Sequence, residues 1–269
     1  MTHAGTPVVF VHGLWLHGTS WGPWEDLFRE AGYETAAPGW PGDSATVEET
    51  RRDSSKVAGY GIDDIVEHYA QIIRAMDGRP VVVGHSFGGL IAQRLLGQDL
   101  ASAAVAIDAA PIKGVLNLPV SALRVASIAL RSPANRNLAV ALTADQFRYG
   151  FGNALPQREC DELYERWAVP SPGKPLFEAA LANFVPHSPA KINTGNKTRG
   201  PLLLTAGGKD HTVPKAITTA TRKLYHKSPA ITDLVEFPDR GHSLTIDSGW
   251  REVAQYALNW LSKRHIEAS

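Results

Sequence analysis

The chain has 269 residues, with 27 Lys and Arg balancing 27 Asp and Glu, 43% hydrophobic residues and one cysteine. Balanced charge supplies no electrostatic footprint for nucleic acid or an anionic membrane. A lone cysteine excludes an intrachain disulfide and fits a reducing compartment. Met1 to Pro7 shows no basic cluster followed by an apolar segment, and no apolar run approaches the ~20 residues that span a bilayer. A cytoplasmic globular protein is the expectation, with Cys160 a half-buried packing residue.

Val8 to Val11 predicts a buried strand that runs into His12-Gly13-Leu14-Trp15. Pro23 to Phe28 follows as a helix, with Pro23 in its first turn and Ser20 or a neighbour as its cap. Tyr33 to Ala37 predicts a second strand, followed by the turn-rich Pro38 to Ser44. Ala45 to Gly61, polar and without periodicity, is expected as a surface excursion. Ile62, Ile65, Val66, Tyr69, Ile72, Ile73 and Met76 form the apolar stripe of an amphipathic helix.

Val81 to Val83 then leads straight into Gly84-His85-Ser86-Phe87-Gly88-Gly89, and a helical stretch, Leu90 to Leu96, follows. Strand, sharp turn and helix place a serine at the apex in a strained backbone conformation. Gly84 and Gly88 lack a Cβ, so the strand and helix can approach each other. Ser86 is thereby pushed out at a helix N-terminus, where N–H groups face a developing negative charge.

Ala103 to Ile107 is a further strand, ending at Asp108. From Ile112 to Arg199 no clear strand is expected. Helix-like stretches replace it at Ser121–Leu130, Ala134–Leu142, Ala144–Phe151, Gln157–Trp167 and Leu176–Phe184, punctuated by prolines. Strands return at Leu202–Thr205 and Leu234–Phe237, and an amphipathic helix over about Ser248 to Arg264 closes the chain. Alternating strands and helices predict an α/β fold, a mostly parallel open sheet with helices on both faces. The organisation expected is a core of residues 1–111 and 200–269, interrupted by a helical cap of residues 112–199.

A serine hydroxyl is a weak nucleophile near neutrality and needs a general base, a histidine held by a carboxylate. Asp210 lies in a Gly-rich loop after one strand and His242 in a loop after the last. Asp108, which follows an earlier strand, competes with Asp210 for the acid role. His12 is read as bonding its loop, His85 as packed behind the turn and Asp239 as a turn residue. No His-Glu-x-x-His, no clustered His/Cys set and no phosphate-binding loop is present, so neither metal nor cofactor is expected.

His12-Gly13, Pro41-Gly42-Asp43-Ser44, Gly84-His85-Ser86-Phe87-Gly88, and Asp210 with His242 occur in the order of the α/β-hydrolases. Over nearly its whole length the chain resembles that superfamily, in its serine-nucleophile branch of esterases, haloperoxidases and hydroxynitrile lyases. The resemblance implies an active site beneath the cap, with an oxyanion hole made by the backbone N–H groups of Leu14 and Phe87. Trp15 and His17 are candidates to line the substrate pocket. Trp40 departs from the family's loop pattern and is expected to alter the pocket's shape.

The function expected is hydrolysis of a small apolar carboxylic ester, thioester or lactone, through an acyl-enzyme on Ser86. C–C hydrolysis, lyase or perhydrolase chemistry on the same triad, and a non-catalytic small-ligand receptor, are the alternatives. The partner expected is a small molecule, and the oligomeric state is open.

Overall fold

A computed structural model describes residues 6–116, 118–266 and 268. Its strands are β1 (Pro7–Val11), β2 (Glu34–Ala36), β3 (Val81–His85), β4 (Ala103–Ile107), β5 (Ala139–Val140), β6 (Ser171–Pro172), β7 (Leu202–Gly207) and β8 (Thr232–Phe237). Its α-helices are α1 (Gly22–Glu30), α2 (Val47–Arg52), α3 (Ile62–Arg74), α4 (Phe87–Gly97), α5 (Val120–Leu130), α6 (Ala144–Gly150), α7 (Gln157–Trp167), α8 (Lys174–Ala180), α9 (Lys215–Leu224) and α10 (Trp250–Lys263).

The long apolar runs of β1, β3, β4 and β7 are buried on both faces, as parallel strands between helical layers must be. They form a six-stranded sheet in the order β2-β1-β3-β4-β7-β8, with every pairing parallel. Side chains alternate across it with the period of two. Val9, Val11, Val82, Ala104 and Leu202 join Ile65 of α3, Leu90 of α4 and Ile217 of α9 in one core layer. Val8, Phe10, Val81, Val105 and Leu203 join Trp24 and Phe28 of α1 and Val253 and Leu261 of α10 in the other. The expected α/β architecture is what forms.

Local differences have physical causes. Residues 45–61 hold a short helix, α2, because Thr46 caps it by accepting from Glu49 N–H at 3.2 Å. Glu48 and Glu49 sit at its positive end and Arg51 and Arg52 at its negative end. Ala134–Leu142 is not helical: a 3-10 turn over Pro133–Asn137 gives way to β5, which pairs antiparallel with β6. No side chain caps α1, and Trp21 holds its cap position after the 3-10 turn Gly18–Trp21.

Residues 112–199 contribute no strand to the large sheet among the described residues. Hydrogen bonds dock this stretch on the loop after β1: Val169 N–H donates to Trp15 O at 3.0 Å and His17 N–H to Trp167 O at 3.2 Å. Arg51 of α2 adds bonds to the Tyr164, Glu165 and Ala168 carbonyls. Among the described residues no helix is long and apolar enough to cross a membrane.

Candidate active site

β3 ends in the turn singled out by its glycines. A Cβ on Gly84 would lie 2.1 Å from Gly88 O, and one on Gly88 would lie 2.0 Å from Val11 O. Neither position admits any other residue without moving backbone, so α4 starts directly against the sheet. Ser86 consequently sits at φ 55°, ψ −120°, a conformation that costs on the order of 1–3 kcal/mol. Ser86 N–H donates to Ile107 O at 2.9 Å, and Ser86 O accepts from Ala110 N–H at 2.9 Å. These bonds hold the strained residue between β4 and α4.

His242 follows β8 and is fully buried. Its Nδ1 lies 2.6 Å from Asp210 Oδ2, and Asp210 Oδ1 accepts from Thr212 N–H at 2.6 Å and Val213 N–H at 2.8 Å. With Nδ1–H given to Asp210, Nε2 is the acceptor nitrogen, and among the described residues it has no hydrogen-bond partner. The His85 and His242 rings stand 4.5 Å apart, and His85 Nε2–H donates to His242 O at 2.9 Å. His85 is thus the packing residue the sequence suggested, and it also fixes the His242 backbone.

Burial lowers His242 to about 4. Burial raises Asp210 to about 6, opposed by hydrogen bonds from Asp108, Val213 and Thr212. Burial and the neighbouring Asp210 raise Asp108 well above the carboxylate range. Asp108, Asp210 and His242 each offer a ligand atom within 4.8 Å of the others. Two ligands of one small ion sit ~3.3 Å apart, given tetrahedral bonds of about 2.0–2.1 Å. The 2.6 Å separation of Asp210 and His242 is instead that of a shared proton.

A cavity of about 90 Å³ opens at Ser86 and Phe87. Trp15 lines it, with Ala122, Val125 and Leu130 of α5, Leu176 and Ala179 of α8, and Val213. No charged side chain is among its lining residues. Sequence reasoning anticipated apolar helices here but did not single out the α5 and α8 residues, because which face of α5 turns inward depends on its docking.

Trp15 sits at φ 65°, with its N–H given to Ser171 Oγ at 2.6 Å and its Nε1–H to Val140 O at 3.0 Å. Leu14 is buried beside Gly13, where a Cβ would lie 2.7 Å from Ser86 Cβ. The loop backbone thus runs against the serine. Phe87 is the first residue of α4, where helix geometry leaves the N–H without an intrahelical acceptor.

His17 is a correction. It lines a separate cleft with residues of the Ala37–Ala45 loop, not the Ser86 cavity. Its Nδ1 pairs with Thr19 Oγ1 and its Nε2 with Ser44 O, which turns the ring toward the loop after β2. Trp40 also faces this cleft. It stacks on His12 at 5.1 Å, so it shapes the loop rather than the cavity. His12 Nε2 lies 3.1 Å from Trp40 N and 3.0 Å from Asp43 Oδ2, the loop-bonding role read from sequence. His211 bonds Tyr149 O, Asp239 is an exposed partner of Lys209, and Cys160 is fully rather than half buried.

A sequence model of the alpha/beta hydrolase family matches residues 8–256. The chain belongs to the α/β-hydrolase family. No curated protein sequence matches it. Among solved structures, this hydrolase is similar to a methylesterase from Arabidopsis, at 16% identity and TM-score 0.67, covering 96% of this chain and 99% of that one. It is similar to a Paleococcus ferrophilus monoacylglycerol lipase, at 21% identity and TM-score 0.67, covering 97% of each. It is also similar to an extracellular alpha/beta-hydrolase from a Paenibacillus species, at 18% identity and TM-score 0.66, covering 94% and 98%. At these identities the likeness is one of fold. It spans the sheet, the site loops and the inserted helices of the hydrolase alike.

Proposed function

We propose that this α/β hydrolase cleaves a small, uncharged carboxylic ester, thioester or lactone by nucleophilic catalysis from Ser86, with no cofactor. The observation that carries the reading is the Asp210–His242 pair, bonded through Nδ1 at 2.6 Å while His242 Nε2 stays buried and unpartnered. A buried imidazole nitrogen without a partner is costly unless it has work to do.

In this mechanism Ser86 Oγ attacks the acyl carbon and His242 Nε2 takes its proton. Asp210 holds the ring in that tautomer and stabilises the imidazolium. The N–H groups of Leu14 and Phe87 receive the oxyanion. His242 returns the proton to the leaving alcohol or thiol, then activates water to release the acid from Ser86. The helices of residues 112–199 act as a cap, since α5 and α8 wall the cavity above the serine. A lining without a charged side chain favours an uncharged substrate. The esterase and lipase named among the structural neighbours support the ester reading by analogy of fold.

A fluorophosphonate and a panel of esters, thioesters and lactones test the proposal. One covalent adduct, located on Ser86 by peptide mass, with turnover of at least one ester, is expected. Labelling at another residue, or full turnover by Ser86→Ala, would overturn it.

A further inference from the structure

Asp108 is the buried ionisable group that this mechanism leaves unused. It follows β4 at φ 43°, with its N–H toward Thr205 O. Its side chain is fully buried. Thr205 Oγ1–H donates to its Oδ1 at 3.1 Å, and Gly207 N–H approaches both oxygens, the nearer at 3.0 Å. A carboxyl oxygen of Asp108 lies within 4.8 Å of one of Asp210.

Two carboxyls buried this close together do not both ionise, so one of them carries a proton. The partners decide which one. Asp210 accepts from Thr212 N–H, Val213 N–H and His242 Nδ1–H, at 2.6 to 2.8 Å. Asp108 accepts from one hydroxyl and one N–H, at 3.0 Å or more. Shorter and more numerous donors stabilise an anion, so the charge belongs on Asp210 and the proton on Asp108. The other ionisable group facing Asp108 is His242.

We infer that Asp108 is a positioning residue: a neutral carboxylic acid at neutral pH that donates its proton to Asp210 and holds that carboxylate against His242. The His–Asp pair thereby becomes a chain, Asp108–Asp210–His242, extended behind the base. The inference rests on the proposed role of His242, but its test does not require turnover.

Wild-type protein and the Asp108→Asn and Asp108→Ala variants are compared at pH 8, where Asp247, raised to about 6, is ionised. With ¹³C-aspartate labelling, wild type is expected to show an isotope-shifted infrared carbonyl band of a protonated carboxylic acid, lost in Asp108→Asn. Absence of the band from wild type would overturn the inference even if neither variant folds. In parallel, ¹⁵N NMR follows the His242 ring titration. A neutral Asp108 replaced by a neutral amide leaves the His242 midpoint within about 0.3 unit, and removing the donor in Asp108→Ala moves it upward. An anionic Asp108 would instead make both variants move it downward, by about one unit, and that result overturns the inference. Should the ester panel fail while the band is present, the mechanism falls and the protonation of Asp108 stands.

Discussion

The edge of the sheet and the helices above it are made of different materials. At the edge, Gly84 and Gly88 leave no room for a Cβ, and Asp210 spends both oxygens on named donors. Above it, α5 and α8 present Ala, Leu and Val to the cavity, and Val120 and Leu123 of α5 are 82% and 48% exposed. Hydrogen bonds are directional and buried networks tolerate no missing member. Dispersion contacts are individually small and interchangeable. Under the proposed mechanism the contrast separates two kinds of variation: changes at the edge would act on the chemical step, and changes in the helices on which substrate is taken.

Four outcomes would break or sharpen that division, from the largest effect to the smallest. Ser86→Ala is expected to lower kcat by about 10⁶, as removal of the nucleophile does in a serine protease, with an unchanged circular dichroism spectrum. Retention of more than a hundredth of the activity would remove the serine from the mechanism. Asp210→Asn is expected to cost on the order of 10⁴ in kcat with little change in KM, since the imidazole then loses its tautomer. A loss confined to KM would move Asp210 out of the chemistry.

The third outcome concerns pH. The base must be neutral, and the proton that arrives on acidification is shared by His242, lowered to about 4, and Asp210, raised to about 6. Such a pair titrates as a unit. kcat/KM is expected to fall about tenfold per pH unit once below an apparent midpoint between those values. A flat profile from pH 8 to pH 4 in folded protein would rule out the imidazole as base. The smallest effect belongs to the helices. Ala122→Phe is expected to reduce kcat/KM about tenfold for the bulkiest ester turned over, relative to the smallest. A uniform loss across the ester series would show that α5 supports the chemistry after all.

What was legible in the sequence follows the same division. The strand–turn–helix around Ser86 was readable because local backbone chemistry demands those residue types there, while Asp210 and His242 were singled out by their strand-end loops and by their order in the α/β-hydrolases. His17 was misplaced because its orientation depends on Ser44 O, 27 residues away. Asp108 was read only as a rival to Asp210, although Ile107-Asp108 at the end of a buried strand already marked an acid inside the protein. Its partners, Thr205 and Gly207, lie 97 and 99 residues further on. The extended stretch at Ala139–Val140 was read as helix because its pairing to Ser171–Pro172 cannot be seen locally. The strained Trp15, whose N–H needs Ser171 Oγ, gave no signal in sequence.

The burial of Asp108 also ties the folding of the whole chain to the proton concentration. Its folded-state pKa is raised, so above ~pH 4 the native protein keeps a proton that the unfolded chain releases. Stability from this group is complete below ~pH 4 and is lost as pH rises toward the folded pKa. His85 and His242, both lowered by burial, act with the opposite sign, and both are neutral in either state above ~pH 7. Asp210 and Asp247, at about 6, have ionised by then. Through Asp108, stability therefore falls as pH rises above ~4. One proton corresponds to a stability slope of ~1.4 kcal/mol per pH unit. Folding therefore takes up a proton at Asp108 once pH rises above the ordinary carboxylate range.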